Sequence, residues 1–238
     1  MRRTVLFVIT LLVAAIATGL GIWQLRRLGT RRTANRAAIT ARDLPPLALN
    51  LDWSPESNRR ATITGRLDED HEFILRGHVV QGVPAVQVVT PIHLPDRDTA
   101  LLVNRGYIPA PDATDPGNAT WSEPGEITLH GVLLTSPDRG DGDPITHNGR
   151  ETWKAIDLSA MRTRIPFPVS SFYLVAEADS GSDTHTVRGK AYPIRAEPPG
   201  LSEGPHLSYA IQWFGIALAS IAFGCFFVLR RTPERRVE

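Results

Sequence analysis

Ala61-Thr62-Ile63-Thr64-Gly65-Arg66-Leu67 alternates small or apolar residues with polar ones at every second position. A period of two marks a strand with one dry and one wetted face. Asp68-Glu69-Asp70 then reads as a turn and Glu72-Phe73-Ile74-Leu75-Arg76 as the returning strand, so a hairpin is expected. Downstream, Val83 to His93 and Ala100 to Ile108 read as a second pair, joined by the polar turn Leu94-Pro95-Asp96-Arg97-Asp98. Glu126 to Thr135 and the short Thr152 to Ile156 are further strands. Asp157 is placed to cap a brief helix ending at Arg162, and Ser171 to Ala178 and Thr186 to Ile194 read as the last strands. Asp112 to Glu123 and Ser136 to Arg150 carry no periodicity and read as loops. Short strands with hardly any helix predict a mainly β fold, an antiparallel sandwich or barrel.

The two ends of the chain differ from this middle. Thr4 to Leu25 and Leu207 to Leu229 each approach the ~20 apolar residues that cross about 30 Å of hydrocarbon. Ala15-Ile16-Ala17 fits a small-x-small cleavage pattern, but apolar character continues to Leu25 with no polar break, which predicts a retained anchor. Arg26 to Ala41 reads as a basic helical extension, ended by Leu44-Pro45-Pro46-Leu47. The expected domains are a first transmembrane helix over 1–25 and an extension and linker over 26–59. An extracytoplasmic β domain over 60–196, a linker and second transmembrane helix over 197–229 and a cytoplasmic tail over 230–238 follow. Arg230, Arg231, Arg235 and Arg236 draw the C-terminus to the cytoplasm. Arg26, Arg27, Arg31, Arg32 and Arg36 pull the opposite way around the first span, and two spans put both termini on one side. The sharper asymmetry of the second flank predicts both ends inside, with lipid headgroups or an acidic partner meeting the arginines that follow the first span.

Composition excludes several classes of function. A net charge of +1 over 238 residues is not that of a strongly basic nucleic-acid binder. The one cysteine, Cys225, lies within the second span, so the middle has no disulfide, thiolate metal site or cysteine nucleophile, and copper(I) delivery is disfavoured. Asp68-Glu69-Asp70-His71-Glu72 could attract a cation, yet it falls on a predicted turn where solvated carboxylates are ordinary. Gly140-Asp141-Gly142-Asp143 lacks the oxygen pattern and final glutamate of a calcium loop. Asp179-Ser180-Gly181-Ser182-Asp183 is not a nucleophile elbow. The chain is therefore not expected to be an enzyme.

The entrance to the second span carries the most chemistry. Pro205 suits a first helical turn, and His206, Tyr209, Ala210 and Trp213 follow at helical spacing on one expected face. Ser208 and Gln212 form a second polar pair. Two readings stay open. Tyr209 and Trp213 can be an interfacial belt with His206 in water, or His206 can be a ligand to a metal or heme at the membrane surface. Ala17 with Gly21, and Gly215 with Ala219, have the small-xxx-small spacing that lets spans pack closely.

Three segments stand in order: Gly21-Ile22-Trp23-Gln24-Leu25-Arg26-Arg27, Leu102-Val103-Asn104-Arg105-Gly106-Tyr107-Ile108-Pro109 and His206-Leu207-Ser208-Tyr209-Ala210-Ile211-Gln212-Trp213-Phe214. As a set they resemble the surfeit locus protein 1 family of cytochrome c oxidase assembly factors. Tyr107 stands where the family usually has tryptophan, and Gly204-Pro205 where it often has asparagine or a charge. The resemblance implies a two-pass protein of the bacterial plasma membrane that helps heme a into subunit I of a heme-copper oxidase. It implies transient heme a carried on His206, with Tyr209 and Trp213 beside the ring and Arg26 or Arg105 near the propionates. The implied partners are subunit I, other oxidase assembly factors, the lipid bilayer and, as a further candidate, heme a synthase. Bland roles stay open: Arg105 as the brace of a strand-end turn, and Trp23 and Gln24 as anchors of the helix at the interface. A membrane-held scaffold without heme fits the same residues.

Overall fold

A computed structural model of the chain describes residues 2–49, 56–136, 144–147, 149–178, 193–195, 197–198 and 200–229. The strand expected over Thr186 to Ile194 lies outside them except for its last residues, as do the Gly140 and Asp179 loops and the arginines after Leu229. The chain forms two compact units. One contains Met1–Ala37 and Leu201–Glu238; the other is Ala38–Gly200.

In the second unit the alternation around Ile63 becomes β2 (Arg60–Leu67), preceded by β1 (Leu47–Ala48). Next come β3 (Phe73–Val80), β4 (Val83–His93), β5 (Ala100–Pro109) and β6 (Glu126–Thr135). They are followed by β7 (Ile145–His147), β8 (Arg150–Trp153), the helix α2 (Leu158–Arg162) and β9 (Val169–Ala176). Among the described residues these make one nine-stranded sheet, in the order β1-β2-β6-β9-β5-β4-β3-β8-β7. A further pairing of Arg66 with His93 and Leu67 with Ile92 joins β2 to β4. That join closes β2, β6, β9, β5 and β4 into a barrel, from which β3, β8 and β7 continue beyond β4.

The expected pair of Val83–His93 with Ala100–Ile108 forms as β4 against β5. The hairpin expected from Ala61–Leu67 into Glu72–Arg76 does not. Strand β2 pairs instead with the distant β6, and β3 with β4. Asp68 to His71 is a 3-10 turn rather than a reversal, because the Asp68 carboxylate accepts from the Asp70 amide and starts a helical turn. The sheet is also mixed: β1–β2, β3–β8 and β5–β9 run parallel.

Ile63, Leu67, Ile92, Leu101, Val103, Leu129, Leu133 and Leu174 fill the interior, each with almost no exposed surface. Burying a side chain of this size is worth about 1.5–3 kcal/mol. On the outer face α2 lays Leu158 and Met161 against Phe73, Leu75, Val89, Leu102 and Trp153. Asp157 caps α2 as expected, accepting from the Ala160 amide. Strand β5 is therefore covered on both sides, which explains why its sequence reads as nearly continuous apolar residues.

The other unit pairs two helices, each long and apolar enough to cross a membrane. The first, α1 (Arg2–Asp43), is one uninterrupted helix of 42 residues, so the span and the expected extension are a single element. At 1.5 Å per residue it is roughly 60 Å long, about twice the hydrocarbon thickness. The second is α3 (His206–Leu229). Thr10, Ala14, Ala17, Gly21, Gln24 and Leu28 are buried at alternating spacings of four and three, and Ala210, Ala217 and Gly224 at spacings of seven. This heptad seam packs knobs into holes through small residues. Ala17 and Gly21 lie in it as expected. Gly215 and Ala219 do not: both are exposed, and Gly215 has open space where a side chain would stand. A Cβ on Gly224 would lie 2.3 Å from Thr10 Oγ1, so Gly224 takes the contact position.

Candidate functional site

The mouth of the helix pair is built around His206. Gly204 has φ of +72°, a left-handed conformation that suits glycine, and it turns the chain into Pro205 and the first turn of α3. That turn is closed by the Tyr209 amide and the Ser208 hydroxyl, both donating to Pro205 O at 3.1 and 2.8 Å. His206 is half-buried, and its Nδ1 lies 2.8 Å from Oε1 of Gln24, itself only 9% exposed in the α1 seam. A Cβ on Gly204 would stand 3.5 Å from His206 Nε2, an ordinary van der Waals contact, so the left-handed turn runs alongside that edge of the ring. Just beyond, the Arg32 guanidinium binds both Glu203 carboxylate oxygens at 2.9 and 3.0 Å, and Asn35 Nδ2 donates to Leu201 O at 3.0 Å. The Arg32 hydrogen bond holds the Glu203 carboxyl below its usual range. The linker ahead of α3 is thereby clasped to α1.

The other expected residues of this face divide. Trp213 packs in the seam against Ala14, Ala17 and Ala217. Tyr209 is 45% exposed on the outer side of α3, because the seam advances His206, Ala210, Trp213 and so leaves position 209 outside. Arg26 is exposed on α1, and Arg27 sits over the Trp23 ring at 5.9 Å.

Arg105 belongs to the β unit, where its own chain encloses it. In the register of β4 and β5, Val88 faces Gly106 and Val89 faces Asn104, so Arg105 is the extra residue of a bulge. Gly106 carries φ of +117°, and a Cβ there would lie 2.0 Å from Ile194 O. The bulge aims Arg105 into the protein, where its side chain has no exposed surface. Nε donates to Glu123 Oε2 at 2.9 Å, Nη1 to Thr90 Oγ1 at 3.3 Å and Nη2 to the Trp121 carbonyl. Glu69 and Glu72 lie 3.4 and 3.7 Å from it, and Arg195 binds Glu123 from the other side while donating to Arg105 O at 2.8 Å. A guanidinium so enclosed braces the fold and has no face to offer an external carboxylate.

The same network accounts for the acidic stretch after Leu67. Burial pushes the Glu72 carboxyl up, against the pull of Trp121 Nε1 and of Arg105. Burial would also raise Glu69, but hydrogen bonds from Ser122 and the Glu123 amide, with the charge of Arg105, bring it below its usual range. Asp68 is bound to His71 at 2.9 Å. Among the described residues no group of histidine, cysteine and carboxylates is arranged to hold a metal ion. The sequence pattern places His206 and Trp213 on one helix face but assigns Gln24 no contact with the imidazole. Only its place in Gly21-Ile22-Trp23-Gln24, on a seam of period 3.5, marked it out.

The SURF1 family profile matches residues 11–218. A SURF1-like protein of Monosiga brevicollis is 27% identical, over 94% of this chain and 87% of its own length. Surfeit locus protein 1 of Homo sapiens is also 27% identical, over 94% and 78% respectively. A SURF1-like protein of Rickettsia felis is 25% identical, over 90% and 92%.

Proposed function

We propose, from the premise that this chain belongs to the SURF1 family, that it is an assembly factor for a heme-copper cytochrome c oxidase and carries heme a transiently on His206 for subunit I. It acts as a chaperone rather than an enzyme. It sits in the bacterial plasma membrane with both termini in the cytoplasm and the β unit outside. Subunit I, other assembly factors, heme a synthase and the bilayer are its partners.

One observation carries the reading. His206 is a half-buried imidazole at the opening of an apolar helix, tied at Nδ1 to a buried carboxamide, which leaves Nε2 as the nitrogen for a ligand. Neutral imidazole is a good ligand for iron, which a bound heme would supply. The residues present fit that group in the ligand they offer, with Trp213 two turns further along the same helix face. The exposed arginines of α1 would meet anionic lipid headgroups.

A second reading, a scaffold that holds the oxidase intermediate without heme, is favoured by two placements. Tyr209 faces outward and Arg105 is already paired with carboxylates of its own chain. The readings separate on detergent-purified protein from cells that make heme a. A Soret band lost in His206→Ala supports carriage; equal heme content and spectra in both proteins leave the scaffold. Deleting the gene should lower heme a and oxidase activity in membranes, and normal levels of both would remove the assembly role. Tag accessibility should place residues 60–195 outside the cytoplasm.

A further inference from the structure

We infer that Gln24 is a positioning residue that fixes the tautomer and ring plane of His206, so that Nε2 carries the lone pair. The inference rests on the reading of His206 as a heme ligand. A carboxamide oxygen can only accept a hydrogen bond, so a contact of 2.8 Å between Gln24 Oε1 and Nδ1 makes Nδ1 the protonated nitrogen. In an imidazole ligand, the tautomer is set by the hydrogen bond of the nitrogen that does not bind metal.

Position argues against an incidental contact. Gln24 occupies a buried seam site, in line with Thr10, Ala14, Ala17 and Gly21, where an apolar residue would pack without cost. A carboxamide there must find a partner, since an unpaired buried amide costs about 1–3 kcal/mol. It meets an imidazole 182 residues away. The seam fixes the carboxamide, and the carboxamide fixes the ring. The Arg32–Glu203 and Asn35–Leu201 contacts hold the incoming linker in the same unit, so His206 is located from both sides.

The test uses the full-length protein in detergent, with hemin as the probe, and compares wild type with Gln24→Ala, Gln24→Glu and His206→Ala. Two readouts are needed. In protein without hemin, the ring 15N shifts of His206 report the tautomer; wild type should show Nδ1–H, and Gln24→Ala should lose that preference. With hemin, Gln24→Ala should weaken affinity by roughly 10- to 100-fold, the usual effect of removing the partner of a ligating histidine. Gln24→Glu should restore affinity and lower the reduction potential below that of wild type, because a carboxylate is the stronger acceptor. A purely structural role for Gln24 would move neither tautomer nor potential. If His206→Ala abolishes hemin ligation while both Gln24 variants keep wild-type tautomer, affinity and potential, the positioning role is wrong and the ligand stands. If His206→Ala binds hemin as wild type does, the ligand reading fails and the inference falls with it. Helical circular dichroism of each variant identifies a misfolded protein, and Gln24→Glu, which keeps an acceptor in place, then decides.

Discussion

Arg105 and Glu123 meet through two contacts on one carboxylate oxygen, Nε at 2.9 Å and Nη2 at 2.8 Å, although the arginine side chain has no exposed surface. Removing one member of a buried pair leaves the other charge desolvated and costs about 3–5 kcal/mol. Arg105→Leu should lose that much in a denaturant titration followed by tryptophan emission, and Arg105→Lys should lose less. The lysine keeps the charge but not the fork that also reaches Thr90 and Trp121. A loss below about 1 kcal/mol in Arg105→Leu would count against the buried network.

Gly106→Ala should be among the most damaging small substitutions. It combines a φ of +117° with a Cβ 2.0 Å from Ile194 O. Backbone strain alone costs about 1–3 kcal/mol, and the clash displaces the bridge between Tyr107 and Ile194. The Tyr107 amide should then exchange with solvent much faster. Gly200→Ala, with open space around it, should stay within about 0.5 kcal/mol of wild type.

Asp157→Ala should cost about 1 kcal/mol, the usual worth of an N-cap. The Ala160 amide, then the Ser159 hydroxyl, hold the Asp157 carboxyl below its ordinary range. A carboxyl depressed in the folded state contributes stability above its unfolded pKa and loses it as pH falls through the folded value. The difference between wild type and Asp157→Ala should therefore shrink as pH drops below about 4. Thermal melts from pH 7 to pH 3 check the sign.

In the helix pair, Gly224→Leu should weaken packing and Gly215→Leu should not. The first drives a side chain into Thr10 and the second enters open space. Overpacking typically costs about 1–3 kcal/mol. The midpoint of SDS-induced helix loss in reconstituted protein should fall for Gly224→Leu alone.

Local chemistry was legible where it decided local structure. The alternation of Ile63 and its neighbours, the cap at Asp157 and the continuous apolar run of β5 all took the form their residues imply. Partner choice was not legible. Nothing between Leu67 and Phe73 reveals that β2 pairs with a strand some 60 residues on, since an Asp-rich turn and an Asp-capped 3-10 turn look alike. The carboxylates around Arg105 come from positions 69, 72 and 123, too scattered to form a motif. At the helix mouth, a spacing of three or four residues put both Tyr209 and Ala210 near His206. The seam of the partner helix selects Ala210 and turns Tyr209 away.

The barrel behaves as a hoop with one short buckle. Elsewhere around its circumference neighbouring strands share long ladders, but β2 meets β4 only at Arg66–His93 and Leu67–Ile92, with one further bond from the Asp68 amide to Pro91 O. Breathing should start there, wetting Leu67 and Ile92 before the rest of the filling and giving those amides the earliest exchange of any in the ring.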